Sequence, residues 1–260
     1  MAMTSDSATI AATLAEVVDR ELRERGSAAR AEKEEAYLKS GLIHYGVRVP
    51  ETRAVVRTSL RGKSLKHDEG VELAQRLWAP PRAAIDSPGA TKESTPVHER
   101  RAAATMVLIQ SKDCLGASDA DLIAHLLREA KTWALVDPLA EDLVGPLSED
   151  GAGFDRTIER WAIDEDFWIR RSALLTHLVP LRQGRGDFDR FSRFADAMLE
   201  DREVFIRKAI GWVLRDTSRK RPDLVFEWIL PRAHRASGVT IREAVKRLSP
   251  EQRETVLAAR

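Results

Sequence analysis

Trp133 and Asp137 stand four residues apart in Trp133-Ala-Leu-Val-Asp137, a spacing that puts an indole and a carboxylate on one face of a helix. A carboxylate in a low-dielectric site can stabilise developing positive charge, and an indole face attracts a cation. The same spacing also suits a core tryptophan beside Ala134, Leu135 and Val136, with an aspartate that caps a helix start. A second set lies in the segment from Val204 to Ser218, where Lys208, Trp212, Arg215 and Arg219 recur at spacings of four, three and four and so share one helical face. Phe205, Ile206, Ile210 and Val213 fall on the opposite side. Such a stripe could hold phosphates with its cations and offer the indole to a nucleotide. It could equally be a solvated face whose arginine stems cover an amphipathic tryptophan. Residues 201–221 hold seven Lys/Arg against three acids, the strongest basic patch in the chain. Arg171 occupies the basic slot of a repeat, where arginines often tie neighbouring hairpins. Tyr37 in Ala36-Tyr-Leu-Lys39 either packs on the first helices or reaches a backbone phosphate through its hydroxyl.

Other chemistries are disfavoured by what the chain contains. Cys114 is the only cysteine, so neither an intramolecular disulfide nor a thiolate cluster can form, and its apolar-flanked setting reads as a buried structural thiol. The six histidines show no HxxxH or HExxH spacing, and no metal or other cofactor is expected. No apolar run approaches the roughly 18 residues a membrane span needs, and Met1 to Thr9 lacks the order of a signal peptide, so a cytoplasmic, nucleoid-associated protein is expected. The net charge of +1 argues against a uniformly basic coat, which leaves the local patch as the electrostatic signal.

The elements that must position these residues are helical. Hydrophobic residues make up 43% and charged residues 32% of the 260, which suits helices with heavily charged outer faces. Ile10, Leu14, Val17, Val18 and Leu22 predict a helix over 8–24 behind a frayed segment 1–8. A second helix is expected over 28–40, then a turn over 41–50, and a third helix with Pro50 in its first turn. Pro80, Pro81, Pro88, Gly89 and Pro96 predict a loop over 79–96. The informative feature is a repeat of about 35 residues. Phe167-Trp-Ile-Arg-Arg-Ser-Ala-Leu174 and Val204-Phe-Ile-Arg-Lys-Ala-Ile-Gly211 align at an offset of 37. Glu99-Arg-Arg-Ala-Ala103 lies 70 before the first and Ile241-Arg-Glu-Ala-Val245 lies 35 after the second. The copy expected near residue 134 keeps Trp133 in register but has no basic pair. Acids ahead of the later copies, Asp164-Glu-Asp166 and Asp201, read as helix caps. The fold class predicted is all-α, an α-solenoid superhelix of roughly six HEAT-like helical pairs forming a single domain over 9–260. Its concave face could track a duplex.

Taken in order, Ala36-Tyr-Leu-Lys39, Gly46-Val-Arg-Val-Pro50, Trp133-Ala-Leu-Val-Asp137, Trp168-Ile-Arg-Arg-Ser-Ala173 and Phe205-Ile-Arg-Lys-Ala-Ile-Gly-Trp-Val-Leu-Arg215 resemble the AlkD family of DNA alkylation-repair glycosylases. The resemblance covers about residues 10 to 250. It implies excision of cationic N3- or N7-alkylated purines, such as 3-methyladenine and 7-methylguanine, from duplex DNA in base-excision repair, with bulky adducts within reach. Carried over residue by residue, it implies that Asp137 stabilises the oxocarbenium-like sugar while Trp133 and Trp212 pack on the cationic nucleotide. Arg171 and Arg215 would then grip the flanking phosphates, and Tyr37 would add a DNA contact. It further implies a base that stays stacked during the reaction on double-stranded DNA, and a solenoid that clamps one duplex needs no partner subunit, so a monomer is expected. Two departures stand out: Thr132 and Ala134 flank Trp133 where the family doubles the tryptophan, and the Pro-rich insertion is long. The competing reading is a non-catalytic HEAT-repeat binder of damaged or branched DNA.

Overall fold

The computed structural model describes residues 5–81, 95–149 and 153–260. Sixteen α-helices are named along them: α1 Ser5–Glu24, α2 Ala28–Leu38, α3 Val49–Ser59, α4 His67–Trp78, α5 His98–Gln110, α6 Ala120–Glu129, α7 Trp133–Pro138, α8 Gly145–Glu149, α9 Asp155–Trp161, α10 Phe167–Leu175, α11 Leu178–Arg182, α12 Phe188–Ala197, α13 Val204–Thr217, α14 Pro222–Ile229, α15 Gly238–Ala244 and α16 Pro250–Ala258. Among the described residues the extended pairing is an isolated bridge between Ile43 and Val97, so the all-α prediction holds. No described helix is long and apolar enough to cross a membrane. Most of the predicted 79–96 loop lies outside the described residues. Helix α1 begins at Ser5, inside the segment expected to fray. Cys114 is a correction: it is exposed, because it ends the short 3-10 turn Lys112–Cys114 after α5 and not a core-facing helical turn.

The helices pack as two compact units, within residues 1–118 with 129–135 and within residues 119–128 with 136–260, the division falling inside α6 and α7. In the first unit α1 packs on α3, α4 and α5. Its core includes Val18, Leu22, Val56, Leu73, Leu77 and Leu108, all fully buried. The turn after α2 is held by the buried Glu99 carboxylate, which accepts from the backbone N–H groups of Tyr45 (2.9 Å), Gly46 (2.6 Å) and Val47 (3.0 Å). Gly46 has φ +78°, and a Cβ there would come within 2.2 Å of the Ser27 carbonyl oxygen, so only glycine fits.

In the second unit the repeat becomes spatial neighbourhood. Helix α10 packs on α13 and α13 on α15, the three elements that carry the aligned copies. Trp168 and Phe205, in equivalent repeat positions, contact each other at 4.8 Å between ring centroids. The period also appears as arginine-to-acid bonds across 34 to 36 residues: Arg128 to Asp164 (2.6 Å), Arg182 to Asp216 (2.7 Å), Arg193 to Glu159 (3.1 Å) and Arg232 to Asp196 (2.8 Å). Asp166 caps α10 as expected, accepting from the Trp168 N–H (2.7 Å), whereas the cap of α13 is Glu203, which accepts from the Phe205 N–H (3.3 Å), and Asp201 stands one step outside, accepting from the Glu203 N–H (2.8 Å).

Two buried imidazoles give the fold an acid-sensitive limb. His177, set against Phe191 and Phe194, donates from Nδ1 to the Ala173 carbonyl (3.1 Å), and burial pushes its pKa down to about 4. His98 is pushed down to about 3 by burial, with His44 and Arg101 adding to the effect. An unfolded imidazole titrates near 6.5, so between that pH and the lowered values the unfolded chain takes up protons that the folded chain does not. Stability therefore falls as pH drops below about 6.5. Urea unfolding at pH 7 and pH 5 measures it: the loss expected from His177 alone is about 2 kcal/mol, and His177→Gln removes that part.

Candidate functional site

Helix α7 ends in Pro138, and the chain continues directly into a π-helical segment, Leu139–Val144, and then α8. Two prolines shape this stretch, because neither Pro138 nor Pro146 has an N–H to give to the carbonyl four residues earlier. At its end the Gly145 N–H bonds back five residues to the Ala140 carbonyl. Gly145 also sits against α10's C-terminal end, where a Cβ would lie 3.0 Å from the Thr176 carbonyl oxygen. Such wide turns recur at functional sites.

Asp137 is on the α7 turn before this segment and is 5% exposed. Both its oxygens accept from Arg171 of α10, Nε to Oδ1 and Nη2 to Oδ2, each at 2.8 Å. Arg171, 4% exposed, also donates from Nη1 to the Phe205 carbonyl of α13 (2.5 Å). One guanidinium thus ties α7, α10 and α13 together and fixes the carboxylate's plane. Burial pushes the Asp137 carboxyl up from its usual value, and Arg171 pulls against that rise. The phosphate grip that the resemblance implies for Arg171 needs correcting: the guanidinium is buried and engaged within the protein, so it holds Asp137. The sequence alternative of a hairpin-tying repeat arginine describes its place.

Ile206, Ile210 and Val213 form the buried stripe of α13 that spacing predicts. Phe205, expected with them, is half-buried on the side of Lys208 because it lies three residues before it, and the cations of that face differ in availability. Lys208 is exposed, with Nζ 5.8 Å from the Phe205 ring centroid and no ion pair among the described residues. Trp212 is half-buried, neither core nor fully solvated. Arg215 is half-buried and paired with Glu243, and its Nε lies 3.5 Å from Asp216. Arg219 is exposed, 3.5 Å from the same carboxylate. Asp216, 1% exposed, therefore gathers Arg182, Arg215 and Arg219.

In the first unit, Tyr37 of α2 is 73% exposed and meets the half-buried Trp133 edge-on, with centroids 6.2 Å apart and planes at 89°. Tyr37 lines a 790 Å³ cleft with Arg25, Arg30, Lys33 and Arg48. Arg25 and Arg30 are paired with Glu21 and Glu34 on their own segment, whereas Lys33 and the Arg48 side chain carry no ion pair among the described residues. Of the two sequence readings of Tyr37, packing on the first helices is excluded by this exposure. In the same unit Glu34, His44 and Glu99 bring possible metal-ligand atoms within 4.8 Å of one another. Both Glu99 oxygens already accept backbone amides there, which marks that carboxylate as a support for the turn.

Glu141, one step along from Asp137 in the i, i+4 series, escaped the sequence reading. It is half-buried on the π segment, and its pKa is raised to about 7 by burial, then by Asp142 and Asp137, with Arg182 and Arg171 opposing. The signal present in the sequence is its spacing of four from Asp137.

Comparison with known proteins points one way. A family profile described as DNA alkylation repair enzyme matches residues 18–85 and 92–248. A solved structure, described as a predicted DNA alkylation repair enzyme from Enterococcus faecalis, shares the fold with a TM-score of 0.68 at 23% identity, covering 87% of this chain and 98% of that one. Among curated proteins no match is found.

Proposed function

Because the chain belongs to the DNA alkylation repair enzyme family, we propose that it is a glycosylase that hydrolyses the bond between deoxyribose and a cationic N3- or N7-alkylated purine in duplex DNA. The observation that carries this reading is the buried carboxylate of Asp137, locked by two 2.8 Å bonds from one arginine. Alkylation of a ring nitrogen gives the purine a positive charge, so the base leaves readily: the C1′–N bond breaks and its electron pair neutralises the ring. Positive charge then develops on the sugar. A fixed carboxylate in a low-dielectric setting stabilises that charge without reorganising. Each Asp137 oxygen uses one lone pair on Arg171 and keeps another for a water. That water adds its oxygen to C1′ and releases a proton, which leaves an abasic sugar and a neutral free base.

Trp133 and Trp212 are assigned to the cationic nucleotide, each contact contributing roughly 0.5–2 kcal/mol. Lys208 and Arg219 are assigned to phosphates, as exposed cations on α13 and in the turn that follows it, and Arg215 joins them by exchanging Glu243 for a phosphate. Tyr37, with its exposed ring and hydroxyl, adds a backbone contact. The test is chromatography of bases freed from dimethyl-sulfate-treated duplex DNA. Release of 7-methylguanine or 3-methyladenine is expected, with Trp212→Ala slowing it about tenfold, within the range of one cation–π contact. Tight duplex binding with no released base would instead establish the non-catalytic binder.

A further inference from the structure

The Asp137–Arg171 pair explains one carboxylate and leaves another without a role. Glu141 lies four residues on, at the start of the wide π turns, and the segment that carries it packs on both α10 and α11. Its half-buried side chain has no hydrogen bond or ion pair among the described residues. Four charged groups act on it: Asp142 on the segment itself, Asp137 on α7, Arg171 on α10 and Arg182 on α11. The other charge of α10, Arg170, is held by Asp201. The acid of α8, Glu149, is paired elsewhere with Arg185. Arg171 uses three of its five donors, one each from Nε, Nη1 and Nη2, and Arg182 gives Nε to Asp216, so both guanidinium groups retain N–H groups.

We propose that Glu141 is a second carboxyl of the Asp137 site, a positioning residue whose charge state sets the field in which Asp137 works. Ionised, it shares the field of Arg171 and Arg182 and adds a second negative charge one turn from the first. Protonated, it leaves those cations to Asp137 and Asp216. The exchange falls near neutral pH, where burial and the two neighbouring aspartates put the Glu141 titration. The direction follows from charge: more negative potential favours a cationic sugar, so base release quickens as Glu141 ionises.

The proposal rests on the glycosylase reading for its effect on rate, and two measurements keep them apart. The first needs no activity. In the full chain labelled with ¹³C at glutamate carboxyls, with Glu141→Gln supplying the assignment, the Glu141 resonance is expected to titrate near pH 7. Asp137→Asn removes a neighbouring negative charge and should lower that midpoint by about one pH unit. A midpoint in the ordinary glutamate range, or one that Asp137→Asn leaves in place, overturns the proposal. The second is single-turnover release from methylated duplex between pH 6 and 8. The wild-type rate should rise about tenfold across this range. Glu141→Gln should stay at the low-pH rate with duplex affinity unchanged, and a Gln variant that reproduces the wild-type profile overturns it. Should the wild-type chain free no base at any pH, the glycosylase reading fails, while the carboxyl titration still decides whether Glu141 and Asp137 are coupled.

Discussion

Asp137→Asn is expected to cut base release from methylated duplex at least a hundredfold while leaving duplex affinity within a few-fold of wild type. The size follows from what the substitution removes. Preorganised groups aimed at developing charge typically contribute about 10²–10³ in rate, and here the charge itself disappears. Asparagine keeps the shape of the side chain and one oxygen to accept from Arg171. Its amide N–H₂ would oppose one of the guanidinium donors that now gives a 2.8 Å bond. The variant thus leaves a buried arginine partly unpaired, and a stability loss of about 2–3 kcal/mol is expected beside the kinetic one. The two effects separate experimentally: single-turnover release is measured well below the unfolding transition, and duplex affinity is measured on the same sample. Release within tenfold of wild type, with the protein folded and DNA bound, would remove Asp137 from the chemistry.

How far this site could be read from sequence depended on whether a residue's partner recurred with the repeat. The 35-residue period predicted that α10, α13 and α15 would be neighbours, because stacked hairpins place equivalent positions side by side, and they are packed in that order. It also placed Arg171 in a slot that bonds across 34 residues, to Asp137 behind it and to Phe205 ahead. Spacing could not say which of two roles that arginine takes, because a phosphate and a buried carboxylate ask for the same fork of donors. The salt link from Arg215 to Glu243 was hidden for a related reason, since the acid comes from the following helix pair, outside the window in which a charged stripe is read. Glu141 was legible only in part. Its distance from Asp137 is plain in the sequence, yet its titration depends on burial first, then on Asp142 and Asp137, with arginines from two other helices opposing. Cys114 illustrates the opposite error, apolar neighbours in sequence suggesting burial where a short 3-10 turn points the thiol outward.

Arg171→Leu tests the corrected role of that arginine, and a loss of about 3–5 kcal/mol in folding stability is expected, the cost of leaving one half of a buried ion pair behind. The guanidinium is 4% exposed and holds both oxygens of Asp137 and the Phe205 carbonyl, so leucine abandons three acceptors at once. Base release should fall as well, because an unheld carboxylate in that setting takes up a proton and its orientation is no longer fixed. A phosphate-gripping arginine predicts something different: little stability loss, and a salt dependence of duplex affinity shallower by about one unit of slope. The buried role predicts an unchanged salt slope, with Lys208→Ala as the control in which the slope does decrease. A second substitution completes the cycle. Adding Asp137→Leu to Arg171→Leu removes the stranded charge and should recover much of the lost stability, since apolar replacements of a whole buried pair are often close to neutral. Activity should stay absent in the double variant, for stability then no longer depends on the pair while the chemistry still requires its carboxylate.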